Sequence, residues 1–380
     1  MYNSFVTFVK QLYGSQQVPL HAPVFLGNEK KYLNECIDTT FVSSVGKFVD
    51  RFEEQLATFT GAKKVVACVN GTNALFLSLK LVGVEKGDEV LTQPLTFVAT
   101  CNSIAYLGAS PVFIDVDIDT MGMSPVSLRK WLFENAIIKD GSCYNKLNGN
   151  RIKACLPMHT FGHPVKIDEI KVICDDYNIE LVEDAAEALG TLYKGKHVGN
   201  FGKVGVISFN GNKILTTGGG GALMFNDLEL AGRAKHLITQ AKVAHSIDFA
   251  HDEVGYNLRM PNVNAAIGCA QIENINQFLA SKRETANLYN EFFQKEGISF
   301  FTESENCQSN YWLNVVLMEN RAQRDDFLKY TNQNGVMTRP AWVLMNKQPM
   351  YIDCMQSNLD NAQWLEDRIV NIPSSVRIKL

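Results

Sequence analysis

From about residue 50 onward, apolar and polar positions fall into short alternating stretches whose period switches between about two and about 3.6 residues. Helix-like patterns cover 48–59, 74–82, 98–107, 124–136, 166–176 and 227–238. Between them lie short β-type runs at 64–69, 89–93, 111–115, 152–158, 179–183 and 204–209. Strands alternating with helices predict an α/β fold with a large, mostly parallel sheet covered on both faces. Past about residue 255 the spacing changes to a long helical pattern over 263–294 followed by shorter strand-like pieces, which predicts a smaller C-terminal α+β domain. The expected division is a large domain over 1–250, including an N-terminal helix, and a small domain over 251–380. That first helix carries aromatic and aliphatic residues at 5, 6, 8, 9, 12 and 13. It is expected to dock on the body, because it lacks both the basic face of a membrane-surface helix and the marks of a signal peptide.

Composition narrows the class. Of 380 residues, 46% are hydrophobic and 20% charged, so disordered and fibrous classes are excluded. Lys and Arg number 36 against 40 Asp and Glu, a net charge of −4, and no basic cluster makes nucleic acid an expected partner. The apolar stretches are too short to predict a membrane span. Nine scattered cysteines without a CxxC pair fit neither a metal ribbon nor a disulfide framework, and agree with a reducing cytoplasm.

Ligands of such sheets gather at the carboxyl ends of the strands, and there the sequence turns unusual. Asn70-Gly71-Thr72-Asn73 opens a helix, where unpaired N–H groups and the dipole suit a phosphate, although any such turn can use these residues as a cap. Phe97 opens another helix and is either a core residue or a ring for a planar ligand. Asp184 ends a buried run, where a carboxylate needs either a cationic partner or a helix to cap. Lys213 lies between Ser208 and the four glycines 218–221, either as a solvated loop charge or as an amine held at a site and able to act as a nucleophile. Other patterns fail. Asp115, Asp117 and Asp119 begin like a calcium loop, but Thr120 and Val126 stand where glycine and a bidentate acid belong. His159 and His163 lack the further ligands of a metal motif, and the glycine run is no dinucleotide fingerprint.

Taken in order, Gly71-Thr72, Phe97, Asp184, Ser208 and Lys213 resemble the constellation of a fold-type I pyridoxal phosphate enzyme. More narrowly the chain resembles the DegT/DnrJ-type sugar-nucleotide aminotransferases, through Phe41-Val42-Ser43-Ser44-Val45-Gly46-Lys47-Phe48-Val49-Asp50, the segment from Ser208 to Gly221, and His251-Asp252-Glu253-Val254-Gly255-Tyr256-Asn257. The resemblance implies pyridoxal 5′-phosphate carried by Lys213, with Asp184 on the pyridine nitrogen and Phe97 on the ring. It further implies phosphate contacts from Ser208 and from the amides near Thr72 and Asn73. Asn257 would reach the cofactor of a neighbouring subunit, which implies a homodimer with shared sites. Glu187 stands where many relatives have glutamine or histidine near the cofactor's 3-hydroxyl, and Leu258 replaces an aromatic residue.

The group most resembled aminates UDP-linked 4-keto-6-deoxy-N-acetylhexosamines, with L-glutamate as the expected donor and Lys242 and Arg339 as candidate substrate contacts. The alternatives are a GDP- or dTDP-keto-sugar aminotransferase, of perosamine type or acting at C3, and a non-catalytic nucleotide-sugar-binding regulator.

Overall fold

The computed structural model describes residues 1–244 and 247–377. Its centre is a seven-stranded sheet built from β1 (Lys64–Cys68), β2 (Glu89–Thr92), β3 (Ser110–Phe113), β4 (Ile152–Leu156), β5 (Glu180–Asp184), β6 (Val204–Ser208) and β7 (Gly221–Phe225). The spatial order is β1-β7-β6-β5-β4-β2-β3, with β7 antiparallel to both neighbours and every other pair parallel.

Strand β1 shows why the sheet is covered twice. Its Val65 and Ala67 belong to one core and its Val66 and Cys68 to the other, as the two-residue period of a strand requires. On the first face pack α3 (Lys47–Thr60), α6 (Pro125–Asn135), α7 (Ile167–Asp176) and α9 (Asn262–Ile272), through residues such as Phe52, Trp131, Ile170 and Cys269. On the second pack α4 (Gly71–Leu81), α5 (Val98–Ala105) and α8 (Leu228–Ile238), through Leu75, Ile104 and Leu237. Helix α2 (Glu29–Asp38) lays Tyr32 and Cys36 beside α3.

A second sheet has the order β8 (Ser299–Phe300), β9 (Asn314–Leu317), β11 (Ile369–Ile372), β10 (Arg339–Pro340), all antiparallel. It is accompanied by α11 (Arg321–Gln333) and α12 (Asp360–Glu366). Helix α1 (Tyr2–Tyr13) docks as expected, but on this C-terminal body: Phe5, Val6 and Val9 share a core with Tyr289, Phe293 and Phe327. The pattern read as one helix over 263–294 breaks at Glu273-Asn274 into α9 and α10 (Ile275–Glu296). Helix α10 places Phe278 in the large core and Phe293 in the small one, and α9 lies wholly in the large core. The packing therefore differs from a division at residue 250 with α1 on the large domain, because the apolar faces of α1 and α9 are buried on the opposite bodies.

Candidate active site

The carboxyl ends of β1, β5 and β6 open into one cavity of about 320 Å³, lined by Gly71, Thr72, Phe97, Asp184, Glu187, Ser208 and Lys213. Seven residues expected from the sequence thus converge.

The first wall is the start of α4. Asn70 caps it by accepting the Asn73 N–H at 2.8 Å. Asn73 thus commits its amide to the cap and does not line the cavity, whereas Gly71 and Thr72 at the helix start do. A Cβ on Gly71 would come within 2.9 Å of the Ser208 Cβ, so this glycine is what lets the helix start approach the end of β6. Gly221 serves the same approach from β7, where a Cβ would meet the Asn70 backbone at 2.6 Å. The last of the four glycines therefore packs two strand ends together.

At the floor, Asp184 closes β5 and is buried. Its Oδ2 accepts the Thr100 hydroxyl at 2.7 Å and its Oδ1 the Ala186 N–H at 3.1 Å. Burial pushes its carboxyl up from the ordinary aspartate range, with these two bonds and the Lys213 charge opposing. Three residues on, Glu187 turns back under Lys213. Its Oε1 lies 3.0 Å from Nζ, and its Oε2 accepts the Phe161 N–H at 3.0 Å. Phe161 reaches this position with φ 55° and ψ 16°, a left-handed conformation that bulky residues adopt only when the surroundings enforce it. Burial raises the Glu187 carboxyl to about 7, against the pull of the lysine.

The roof comes from the C-terminal body. The Lys213 ammonium sits 3.8 Å from the centroid of Trp312, whose Nε1–H donates to Asn212 O at 2.7 Å. Trp342 also lines the cavity and stands 6.2 Å from Phe97, which is 48% exposed. Sequence reading missed Thr100, Trp312 and Trp342 as lining residues. Only the rarity of tryptophan marked the last two, and nothing local placed them above Lys213.

Other candidates lie elsewhere. Asn257 is exposed, accepts from Arg259 at 3.0 Å and does not line this cavity. Lys242 sits in a two-stranded ribbon with its ammonium 4.6 Å from the Phe249 ring, and it too is outside the cavity. Arg339 lines a neighbouring chamber. The rejected decoys are structural: Asp115 accepts the Asn361 and Ala362 N–H groups near the start of α12, and His159 pairs with buried Glu183 at 3.2 Å.

The residues present fit pyridoxal phosphate. A buried carboxyl without a cationic side chain in hydrogen-bond contact calls for a protonated ring nitrogen, and the start of α4 at Gly71 and Thr72 lines the cavity beside Ser208, where a helix start suits a phosphate. Lys213, Asp184, Ser208 and the α4 start at Gly71 and Thr72 would hold it.

The profile of the DegT/DnrJ/EryC1/StrS aminotransferase family matches residues 26–380. EpsN of Bacillus subtilis, which its name places among the pyridoxal phosphate-dependent aminotransferases, is 37% identical over 93% of this chain and 88% of its own. A GDP-perosamine synthase of Escherichia coli O157:H7 is 35% identical over 94% and 93% of the two chains. Among solved structures, the aminotransferase TlmJ of Streptoalloteichus hindustanus superposes with a TM-score of 0.85 at 28% identity, covering 94% of this chain and 93% of that one. With the fold, the lysine cavity and these likenesses in agreement, this chain belongs to the DegT/DnrJ/EryC1/StrS aminotransferase family and is a pyridoxal phosphate-dependent enzyme.

Proposed function

We propose that the protein moves an amino group from L-glutamate to the 4-keto carbon of a nucleotide-linked 4-keto-6-deoxyhexose, in the biosynthesis of amino sugars for surface glycans. The observation that carries this reading is the meeting of Lys213 and Asp184 in one cavity with Ser208 and the start of α4. A non-catalytic sugar-nucleotide binder has no use for a buried amine held over a buried acid. Bound there, pyridoxal phosphate supplies the electron sink that makes a substrate C–H bond acidic. The chain supplies the rest. Asp184 would hold a proton on the ring nitrogen, the α4 start and Ser208 would hold the phosphate, Phe97 would cover the ring, and Trp312 and Trp342 would keep water from the site. Lys213 Nζ takes a proton from one carbon and returns it to another, with Glu187 Oε1 beside it.

The sequence strings support a UDP-linked N-acetylated substrate. A second reading, a GDP-linked sugar, is favoured by the likeness to the GDP-perosamine synthase. Incubation of the purified protein with L-glutamate and each keto sugar, generated in place from UDP-N-acetylglucosamine or GDP-mannose, separates them. If neither of these, nor the dTDP-linked keto sugar generated from dTDP-glucose, yields an amino sugar, the proposal falls.

The homodimer also belongs to this reading. Phe41, Val42 and Val45 in one loop, and Ile247, Phe249 and Val254 in another, are exposed apolar residues, and Asn257 follows the second group. A second copy covering them would bring Asn257 to the neighbour's phosphate cleft and account for its distance from the cavity of its own chain. The free cysteines agree with a cytoplasmic location, and no described helix is long and apolar enough to cross a membrane.

A further inference from the structure

An asparagine followed by glycine is the dipeptide in which a chain most readily attacks itself. With no Cβ on the second residue, its backbone nitrogen can swing onto the asparagine Cγ. The sequence has four such pairs, Asn70-Gly71, Asn148-Gly149, Asn210-Gly211 and Asn334-Gly335. Three of them are held shut. Asn70 Oδ1 is fixed on the Asn73 N–H at 2.8 Å, and Gly71 is buried. Asn148 Nδ2 donates to Glu89 Oε1 at 2.6 Å, its Oδ1 accepts the Asn150 N–H at 2.9 Å, and the Gly149 N–H donates to Asn145 O at 2.9 Å. Asn334 Nδ2 donates to Tyr330 O at 2.8 Å, and the Gly335 N–H to Asn332 O at 3.3 Å.

Asn210-Gly211 differs on each count. Asn210 is exposed, and among the described residues its side chain makes one bond, from Nδ2 to Oδ1 of the equally exposed Asn212 at 3.3 Å. The Gly211 N–H has no hydrogen-bond partner among the described residues, and a Cβ built on Gly211 would meet nothing within 4 Å. The pair is nevertheless part of the site. Asn210 lines the lysine cavity, its N–H approaches Ser208 Oγ at 3.4 Å, and its carbonyl accepts the Lys213 N–H at 3.0 Å. The turn that delivers the lysine therefore begins at the one Asn-Gly pair left open.

We propose that Asn210 is a site of spontaneous deamidation, and that its conversion loosens the hold on the cofactor. The Gly211 nitrogen gives its proton to solvent and attacks Asn210 Cγ. A new C–N bond closes a cyclic succinimide, the Cγ–Nδ2 bond breaks, and the amide nitrogen leaves as ammonia with a proton taken from solvent. Water then opens the ring at either carbonyl and yields aspartate or isoaspartate, with nothing oxidised or reduced. Either product puts a negative charge two residues from Ser208, where it repels a phosphate. Isoaspartate also lengthens the main chain by a carbon inside the turn from Asn210 O to the Lys213 N–H, which displaces the lysine. The effect on the cofactor rests on the phosphate contact proposed above for Ser208, whereas the deamidation itself does not.

The test stores the cofactor-loaded enzyme in mildly alkaline buffer and maps its peptides over several weeks for aspartate and isoaspartate. Asn210 should convert at least about tenfold faster than Asn70, Asn148 and Asn334, which act as controls within the same chain. Unfolding during storage converts all four alike. That result, or no conversion at Asn210, overturns the proposal and leaves the phosphate placement untouched. Gly211→Ala, at a position with open space and no positive φ, should fold as the wild type does and slow the conversion about tenfold or more. An unchanged rate in this variant overturns attack by the Gly211 nitrogen. Asn210→Asp reproduces the charge and should lose cofactor on dialysis at least about threefold faster, followed by the absorbance of the bound cofactor. Conversion at Asn210 with wild-type retention in both the aged enzyme and Asn210→Asp overturns the effect on the cofactor and moves the phosphate away from Ser208.

Discussion

Lys213 Nζ and Glu187 Oε1 stand 3.0 Å apart, both largely withdrawn from water. Burial lifts the Glu187 carboxyl from 4.5 to about 7 in the folded chain. Between those values the folded protein holds a proton that the unfolded chain has released, so this group lowers stability as pH rises through that window. Glu187→Gln removes the effect. In the cofactor-stripped protein the variant should gain on the wild type between pH 5 and pH 8, by on the order of 3 kcal/mol. Denaturant titration at the two pH values measures it, and a constant difference would contradict it.

Asp184 distinguishes an electronic role from helix capping. Asparagine at this position can still accept the Ala186 N–H through Oδ1 and turn its Nδ2–H toward the Thr100 hydroxyl, which can accept, and it cannot hold a proton on a ring nitrogen by charge. Asp184→Asn should therefore change stability by about 1 kcal/mol or less and cut turnover at least a hundredfold. Comparable losses of melting temperature and activity would assign the residue to structure alone.

Gly71→Ala sets helix propensity against site geometry. Alanine is favoured in a helix by about 1 kcal/mol, whereas its Cβ here would meet the Ser208 side chain. The variant should gain nothing in stability, because the 2.9 Å approach must relax, and should lose cofactor on dialysis about tenfold faster. Retention equal to wild type would mean that the phosphate lies elsewhere.

The same position shows what could be read in advance. Gly71, Thr72, Asp184, Ser208 and Lys213 follow strands whose apolar runs are continuous, so their place at one sheet edge was legible from pattern alone. Strand β7 was hidden because it begins at Gly221 inside a glycine run that resembles a loop, and its antiparallel sense depends on partners far away in sequence. Helix α2 was missed because its solvent side carries most of the charge in Glu29–Asp38 and only a narrow stripe is buried. Trp312 and Trp342 belong to the C-terminal body, and only tertiary packing brings them to Lys213.

Shared sites can be tested by mixing two inactive variants. Lys213→Ala and Asn257→Ala, combined and allowed to exchange subunits, should regain up to about a quarter of wild-type activity per site. That figure follows if half the dimers are mixed and each mixed dimer has one intact site of two. Exchange proven by mass spectrometry without regained activity would place Asn257 outside the site of a neighbouring subunit.

The docking of α1 on the C-terminal body has a consequence for synthesis. This helix is made long before its partners: its Phe5, Val6 and Val9 can pack only once Tyr289, Phe293 and Phe327 have been made. At about 10 residues per second that is a wait on the order of half a minute. Throughout it a helix rich in aromatic side chains has no core to enter, so the nascent chain carries an unpaired apolar face that holding chaperones can cover.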